Sequence, residues 1–505
     1  MADRMTFRQA LAQVCCPLLN FDASETYGGA HLGGGPRDVV AARIERLNAA
    51  SDVPPLCTAD LECGPGNMLG LTAFPDLMAL GANDSEPLAY EVGRVTALEG
   101  RSLGLHWTFS PCVDIAALPD SPVVSTRSAG RSVERVVKTC RGYMSGLEDH
   151  GMLATLKHFP GDGYTTFDQH LTTVQSPLAM DEWWQGPGEV YRQLIDAGAK
   201  TVMAGHIALP AYDQPDRELG LCPPATLSRR LLTDLLRGEL GFEGLVVSDA
   251  MGMGGVAGFM NPFESYARFL EAGGDCVLFA RVTDPRFYEE MEGLVQKGLL
   301  REETVYARVT RMLTLKEDLG LLDDRSPPSM FDASSHATLA ERVVDGSVTL
   351  VRDRTGVLPR VLTLSTRVLH IVVASDYEVH KAAYDGLSRA LARRCSVDTW
   401  VDPGPQRVFE HLRNHDLDLV VCSIGAASSW GVNVVRLHGP VARNLMEGWM
   451  RLGTPVIFVS HFHPYVHLEY DALMDCVINT YKSLEISGER VVRGITGEAP
   501  FTGKL

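Results

Sequence analysis

Polar residues capable of catalysis recur in this chain at points where short apolar segments end. Asp60, Arg127, the pair Lys157-His158, His206 and Asp249 occupy such points. Each has an ordinary structural interpretation when taken singly, because an aspartate after a strand caps the next helix more often than it catalyses. Their recurrence at the ends of successive segments is explained more simply by one shared pocket.

Asp249 is the strongest candidate for a reacting group. It directly follows the apolar segment Leu245–Ser248, and the glycine-rich residues 251–255 after it leave room for a ligand. A carboxylate held in a pocket can attack an anomeric carbon and form a covalent glycosyl intermediate, as in retaining glycosidases. Such a nucleophile needs a proton donor close to the leaving-group oxygen.

The segment 157–170, KHFPGDGYTTFDQH, carries the best candidate for that donor. Gly161 and Gly163 free the backbone after the predicted strand, and the segment then delivers Asp168 and His170. In extended backbone, residues two apart face the same way, so the carboxylate can orient the imidazole. A histidine can donate a proton near neutral pH and later take one back. Alone, Asp-x-His is also typical of a solvated loop, and the preceding strand and glycines favour the catalytic interpretation.

The elements that must carry these residues follow an alternating pattern. From about residue 27 to 325, short apolar segments alternate with amphipathic stretches of helical length. Segments without polar alternation are typical of strands buried on both faces, and hence of a parallel sheet. Seven or eight such units in about 300 residues predict an α/β fold, a (β/α)8 TIM-type barrel with its chemistry at the carboxyl ends of the strands. The predicted strands are 55–60, 105–112, 154–159, 201–207, 245–248 and 275–280, and the predicted helices include 38–50, 86–102, 132–149 and 228–240.

A second, smaller α/β unit is predicted after the barrel. We expect the barrel domain over residues 1–325, a linker over 326–344 that follows a Pro/Ser/Asp-rich stretch, and an α/β sandwich over 345–505. Buried strands are predicted at 368–375, 417–424, 455–460 and 476–480, with a helix at about 378–394.

Charge and cysteine content narrow the partners and the compartment. The 505 residues hold 46 Lys+Arg and 63 Asp+Glu, and 46 − 63 gives a net charge of −17. Such a charge repels phosphate backbones and anionic lipids, so nucleic acid and membrane surfaces are not expected as partners. No apolar stretch is long enough for a membrane span, and no secretory signal is recognisable. Eleven cysteines without a CxxC pair indicate reduced thiols, which predicts a cytoplasmic protein.

Several segments resemble glycoside hydrolase family 3, and within it the β-N-acetylglucosaminidase branch. That branch carries K-H-(F/I)-P-G-x-G-x(4)-D-(S/T)-H, and this chain matches it from Lys157 to His170 with Gln169 in place of Ser/Thr. The segment PATLSRRLLTDLLRGELGFEGLVVSDAMGM resembles the region of the family nucleophile, TRSAG matches R-S-x-G, and VMAGHIALP matches V-M-x-x-H-I-x-x-P. RVTRMLTLKEDLGLL resembles the helix that closes the barrel, and the terminal FTGKL resembles the end of the family's second domain, so the resemblance covers nearly the whole chain.

The resemblance implies a retaining glycoside hydrolase that removes terminal β-linked N-acetylglucosamine from a small carbohydrate substrate. Asp249 would be the nucleophile and His170 the acid/base, assisted by Asp168 on a mobile loop. No cofactor and no metal are implied. Many relatives carry a substrate-contacting arginine after D-x-E-x-G, whereas here Pro65, Gly66, Asn67 and Met68 follow, which indicates a different substrate contact. The residues implied to bind the sugar are Asp60, Arg127, Lys157, His158, His206 and Met203.

Two alternatives stay within this family. β-Glucosidase-type members take their acid/base from a glutamate of the second domain, for which Glu447, Glu485 and Glu489 are available. The bond could also be cleaved by phosphate instead of water, because a histidine does not repel a phosphate dianion as a glutamate does.

Two further alternatives belong to other classes of protein. The same scaffold could serve as a catalytically silent sugar-binding protein. Separately, His461, His463 and His467 lie within seven residues of one another and could hold zinc, although such clusters are more often loop residues.

Overall fold

Eight short parallel strands form a closed ring in the first part of the chain. In the computed structural model, which describes residues 2–19, 26–215, 220–323, 333–427, 431 and 435–505, each strand is linked to the next by a parallel ladder or bridge. The first strand also pairs with the last, so no edge remains open. In chain order the barrel strands β1 to β8 are Cys15–Cys16, Gly29–His31, Leu56–Ala59, Trp107–Thr108, Leu156–Phe159, Thr201–Ala204, Leu245–Ser248 and Val277–Leu278.

The barrel predicted from the sequence is therefore confirmed. Each of the six predicted apolar segments contains one strand, β3 to β8. The strands β1 and β2 lie in a part of the chain for which no strand was predicted. Ser228, the first residue of the predicted helix 228–240, accepts a hydrogen bond from the Leu231 amide at 3.0 Å at the start of the π-helix Arg230–Glu239.

Helices surround this ring and use glycines where they pack closely. A Cβ added at Gly93 would lie 2.2 Å from the backbone oxygen of Tyr143, so the helices Glu86–Ser102 and Val133–Glu148 can approach only because this position lacks a side chain. The other helices of this part are Phe7–Gln13, Arg37–Ala50, Met180–Gln185, Pro187–Asp196, Gly254–Ala257, Pro262–Ala272, Phe287–Gln296 and Glu302–Asp318.

A buried lysine lies among apolar residues of the barrel unit. The Lys316 ammonium donates a hydrogen bond to the side-chain oxygen of Gln13 at 3.0 Å and is fully buried. Burial lowers the pKa of Lys316 from 10.5 to about 7. The thiols of Cys16 and Cys57 lie close enough to interact with it.

The contacts divide the chain into two compact units. The first comprises Met1–Ala73, Glu86–Leu118 and Arg131–His336, and the second comprises Phe74–Ser85, Pro119–Gly130 and Ala337–Leu505. The helix Ala333–Ser347 begins within the segment predicted as a linker, of which residues 326–332 lie outside the described residues.

The second unit is built on one six-stranded sheet, as the prediction of an α/β sandwich required. From one edge to the other, its strands are Thr349–Asp353, Cys476–Asn479, Val456–Ser460, Leu419–Gly425, Arg367–Ala374 and Ser396–Val401, all parallel except the first. Two separate clusters of buried apolar residues pack against the sheet. The helices of this unit, besides Ala333–Ser347, are Leu77–Asn83, Tyr377–Ala392, Pro405–Asn414, Gly439–Ala442, Val466–Glu469 and Ser487–Thr496.

Every cysteine except Cys63 is buried, and the described residues contain no disulfide bond. Among the helices of the described residues, none combines the length and the apolar character needed to span a bilayer.

Candidate active site

The carboxyl ends of the barrel strands bring most of the predicted site residues to one end of the first unit. Asp60 follows β3, Lys157 and His158 are the two central residues of β5, His206 comes two residues after β6, and Asp249 directly follows β7. Because all eight strands run in parallel, these residues share the end of the barrel at which enzymes of this fold carry out their chemistry.

Asp249 is a largely buried carboxylate with cationic neighbours. Its Oδ1 accepts a hydrogen bond from the Ala250 amide at 2.7 Å, and its Oδ2 lies 3.9 Å from His158 Nε2. Burial alone would raise the pKa of Asp249, but the imidazoles of His158 and His206, the Ala250 amide and the Lys157 ammonium outweigh it and lower the pKa below its ordinary value. These contacts favour the ionised form of the Asp249 carboxylate.

His158 is fixed from behind by a buried aspartate. Asp114 Oδ2 lies 2.7 Å from His158 Nδ1, and Asp114 Oδ1 accepts hydrogen bonds from the backbone amides of His158 and Asp162. Burial opposes ionisation of Asp114, yet the His158 charge and these hydrogen bonds prevail and lower its pKa. The ionised carboxylate orients the ring so that Nε2 faces Asp249.

Several ionisable side chains lie close together at the same end of the barrel. Lys157 Nζ lies 2.5 Å from Glu62 Oε1 and 3.4 Å from Asp60 Oδ1. His31 Nε2 lies 3.6 Å from Asp60 Oδ2, and its ring stacks on Phe109 at 5.4 Å between centroids. Burial lowers the pKa of His31. The Asp60 side chain is 51% exposed, so it can reach a ligand while its partners hold it.

His206 is fully buried and has both ring nitrogens engaged. Nδ1 lies 3.0 Å from the Thr226 hydroxyl, and Nε2 lies 3.0 Å from the backbone oxygen of Ala250. Burial lowers the pKa of His206, against the opposing effect of the Asp249 carboxylate. Its backbone amide donates to the side-chain oxygen of Gln169 at 2.8 Å.

The segment with Asp168 and His170 docks against the turn that follows Asp249. His170 Nδ1 lies 2.6 Å from Asp168 Oδ1, and the same oxygen accepts the His170 backbone amide at 2.8 Å. The amides of Gly254 and Gly255 donate to the backbone oxygens of His170 and Gln169 at 2.8 and 3.0 Å. The Asp168 carboxylate is buried, whereas the imidazole of His170 is 25% exposed.

Two predicted sugar-binding residues have different surroundings. Met203 lies on β6 and packs within the apolar cluster of the barrel, with Trp107, Leu245 and Val247 among its members. Arg127 belongs to the second unit, in the turn Ser125–Arg127, where its guanidinium donates to the backbone oxygen of Val123 at 3.2 Å. The other eight predicted residues all belong to the first unit.

One group of three side chains in the described ranges has the spacing of metal ligands, namely Cys112, Asp114 and His158. The Cys112 thiol donates to Asp114 Oδ2 at 3.2 Å, so hydrogen bonds within the group account for its arrangement. His461, His463 and His467 are buried, and the structure does not assemble them into such a group.

Sequence reasoning missed three residues of this end of the barrel. Asp114 comes two residues after the predicted strand 105–112, so the rule that selected Asp60 and Asp249 could have found it. Glu62 lay within the D-x-E-x-G motif already noted. His31 lies on the strand Gly29–His31, which was not predicted from the sequence.

Comparison with known proteins agrees with this architecture. The sequence profile of the Glycosyl hydrolase family 3 N terminal domain matches residues 37–315. The chain is 32% identical to a beta-N-acetylglucosaminidase/beta-glucosidase of Cellulomonas fimi, over 98% of this chain and 92% of that protein. Its structure is similar to a beta-glucoside phosphorylase, BglX, bound to 2FGlc, with a TM-score of 0.91 and 26% identity over 100% of this chain and 94% of the other. A glycoside hydrolase family 3 beta-N-acetylglucosaminidase from Paenibacillus sp. str. FPU-7 has a TM-score of 0.81 and 25% identity, over 99% and 98% of the two chains.

The barrel, its accompanying sheet unit and these relatives define an enzyme of the glycoside hydrolase class, acting on O-glycosyl bonds. The chain belongs to glycosyl hydrolase family 3, and the resemblance noted in its sequence is confirmed.

Proposed function

We propose that this protein is a retaining glycosidase that releases terminal β-linked N-acetylglucosamine from small carbohydrates. The observation that carries the proposal is the docking of the Asp168–His170 segment onto the turn after Asp249, through the amides of Gly254 and Gly255. This docking links a buried, ionised carboxylate to a partly exposed imidazole in one site, as double displacement requires.

In the proposed mechanism, an oxygen of Asp249 attacks the anomeric carbon while the bond to the leaving-group oxygen breaks. His170 donates a proton to that oxygen, and Asp168 stabilises the protonated imidazole through the 2.6 Å contact at Nδ1. A water molecule then gives a proton to His170 and attacks the anomeric carbon, and the ester bond to Asp249 breaks.

The charged residues around Asp249 are suited to hold the sugar. Asp60 and Lys157 form a cation–carboxylate pair that can accept from and donate to neighbouring hydroxyls. We propose that His158, held by Asp114, keeps Asp249 ionised and contacts the ring. His206, Met203 and Arg127 stay proposed substrate-binding residues.

Two of the three candidate glutamates of the second unit, Glu485 and Glu489, are paired with arginines. Glu489 is bound by Arg394 and Arg393, whose hydrogen bonds and charges lower its pKa against the effect of burial. Glu485 is paired with Arg389 at 2.8 Å. A general acid needs the opposite environment, which favours His170.

The nucleophile can be tested by trapping with 2-deoxy-2-fluoro-glycosyl fluorides, including the glucosyl reagent, followed by peptide mapping. We expect the label on Asp249 in the wild type and no label in Asp249→Asn. Label on another residue would refute the assignment, and no label on any residue would favour a silent sugar-binding protein.

The proton donor can be tested with His170→Ala and glycosides of different leaving groups. We expect kcat/KM to fall for poor leaving groups, and azide to restore turnover of activated ones, because azide needs no general base. His415→Ala, at an exposed position of the second unit, serves as the matched control. Wild-type activity of His170→Ala would exclude the histidine.

The sugar preference needs a direct comparison, since the relative from Cellulomonas fimi carries both activities in its name. Side-by-side assays with p-nitrophenyl N-acetylglucosaminide and glucoside measure it. We expect the higher kcat/KM with N-acetylglucosaminide, and a preference for glucoside would change the proposed substrate.

Phosphorolysis is a second candidate function, favoured by the likeness to a beta-glucoside phosphorylase at a TM-score of 0.91. In this reaction a phosphate oxygen, instead of water, attacks the glycosyl carbon and displaces Asp249, so a sugar 1-phosphate is formed. Product analysis with and without phosphate separates the two candidates, because free sugar alone in the presence of phosphate excludes phosphorolysis.

We also propose a cytoplasmic location for the enzyme, supported by its eleven cysteines, which form no disulfide bond within the described residues. Fractionation of cells with an antibody to the protein would test it.

A further inference from the structure

Gln169 lies between the two members of the proposed dyad and is fully buried. Its neighbours Asp168 and His170 face each other, so the side chain between them points to the opposite side, toward the end of β6. The motif of the resembling branch has Ser or Thr at this position, which makes Gln169 a distinctive feature of this chain.

The Gln169 side chain ties the dyad segment to His206. Its Oε1 accepts the His206 backbone amide at 2.8 Å. A serine or threonine hydroxyl is two bonds shorter and could not span the same separation without movement of the backbone. The backbone oxygen of Gln169 also accepts the Gly255 amide at 3.0 Å, so both ends of this residue are anchored.

This contact continues to the proposed nucleophile. His206 Nε2 lies 3.0 Å from the backbone oxygen of Ala250, and the Ala250 amide donates to Asp249 Oδ1 at 2.7 Å. Gln169 is thus the first member of a chain of contacts that runs from the dyad segment through His206 to Asp249.

The buried side-chain amide of Gln169 has an energetic cost at its donor atom, Nε2. Gln169 Nε2 is buried and forms no hydrogen bond within the described residues. A buried donor without a partner destabilises the fold, whereas leucine would fill similar space without that penalty. The hydrogen bond that Oε1 accepts is therefore the contact that favours glutamine over leucine at this position.

We propose that Gln169 is a positioning residue for His170. It holds the imidazole where it can donate a proton to the leaving-group oxygen while Asp249 attacks the anomeric carbon. This inference rests on the proposed roles of His170 and Asp249. It predicts that loss of the acceptor affects the step that needs a positioned proton donor and leaves the attack by Asp249 largely intact.

The test compares Gln169→Leu with the wild type on two aryl glycosides that share the sugar. One has a leaving group that departs without protonation, such as 2,4-dinitrophenolate, and the other a poor leaving group that needs it. We expect kcat/KM to fall by roughly 10-fold or more for the poor leaving group and by less than about 3-fold for the activated one. Activity on the activated substrate also shows that the variant is folded.

Two further variants complete the design. Gln175→Leu makes the same replacement at an exposed position five residues beyond His170 and should match the wild type on both substrates. His170→Ala should show the same selectivity for leaving groups in a stronger form. If it does and Gln169→Leu behaves as wild type, or loses both activities equally, the positioning role is refuted while the function stands. If His170→Ala has wild-type activity, the proposed function fails first.

Discussion

Replacement of the buried Lys316 by methionine should change how the stability of the protein depends on pH. Lys316 is fully buried, with one hydrogen bond from its ammonium to Gln13, and burial lowers its pKa from 10.5 to about 7. In the unfolded chain the lysine recovers its ordinary pKa. Between about pH 7 and 10.5 the unfolded state therefore binds more protons than the native state, so stability rises with pH in this range.

The size of the effect follows from the shift. One pH unit within this window corresponds to about 1.4 kcal/mol when the two states differ by one proton. Because the native lysine is still partly protonated near pH 7.5 and the unfolded lysine is partly deprotonated near pH 9.5, the wild type should gain about 2.5 kcal/mol relative to Lys316→Met between these two pH values. Burial raises the pKa of the adjacent thiols Cys16 and Cys57, the latter to about 12, so they stay protonated in this range.

Urea unfolding followed by tryptophan fluorescence, at pH 7.5 and 9.5, measures the difference. Lys316→Met should be more stable than the wild type at pH 7.5, with the gap narrowing at pH 9.5. Lys297→Met, at an exposed helix end, is the control and should follow the wild type. Parallel pH dependence of Lys316→Met and the wild type would contradict a neutral buried lysine.

Three further predictions concern the site and the helix packing. Asp168→Asn removes a charge-assisted contact to His170, so kcat/KM for a poor leaving group should fall by about 10- to 100-fold. Steady-state assays measure this value, and circular dichroism checks that the variant is folded. An unchanged kcat/KM would contradict the proposed dyad. The lowered pKa of Asp249 means that its ionised form persists at acidic pH. The acid limb of the profile of kcat/KM against pH should therefore lie below the ordinary pKa range of an aspartate. An acid limb at higher pH would contradict this environment of Asp249. Gly93→Ala should lower the free energy of unfolding by about 1 to 3 kcal/mol, because the added Cβ meets the backbone of the facing helix. Gly293→Ala, in a helix with open space at this position, should raise the free energy of unfolding by about 0.5 to 1 kcal/mol. Equal effects of the two substitutions in urea unfolding would refute the packing argument.

The barrel could be predicted from the sequence where its strands lie within longer segments of mostly apolar residues. The segment Leu245–Ser248 contains no charged residue and lies between two helices, which is typical of a strand buried on both faces of a sheet. Cys15–Cys16 was not predicted as a strand from the sequence. Its identity as a strand comes from its pairing with Val277–Leu278, a contact between residues more than 250 positions apart.

The grouping of segments into units also depends on contacts that composition does not reveal. Phe74–Ser85 and Pro119–Gly130 lie within the predicted barrel domain in sequence but belong to the second unit. Asn83 Nδ2 donates to the backbone oxygen of Val343 at 2.9 Å, and Thr126 Oγ1 donates to Asp76 at 2.6 Å. Such single hydrogen bonds depend on side-chain rotamers, so a linear pattern does not predict them.

The histidines of the barrel unit show why the residue types could be predicted but their roles need the structure. His206 is fully buried, with a lowered pKa and both ring nitrogens in hydrogen-bonding contact, so it has no nitrogen left to exchange a proton with a ligand. His158 is held by Asp114 and faces the carboxylate of Asp249, whose pKa it helps to lower. His170 combines an aspartate at Nδ1 with a ring that is 25% exposed. A proton carrier needs both a partner that stabilises its charged form and access to the substrate, and among these three only His170 combines the two.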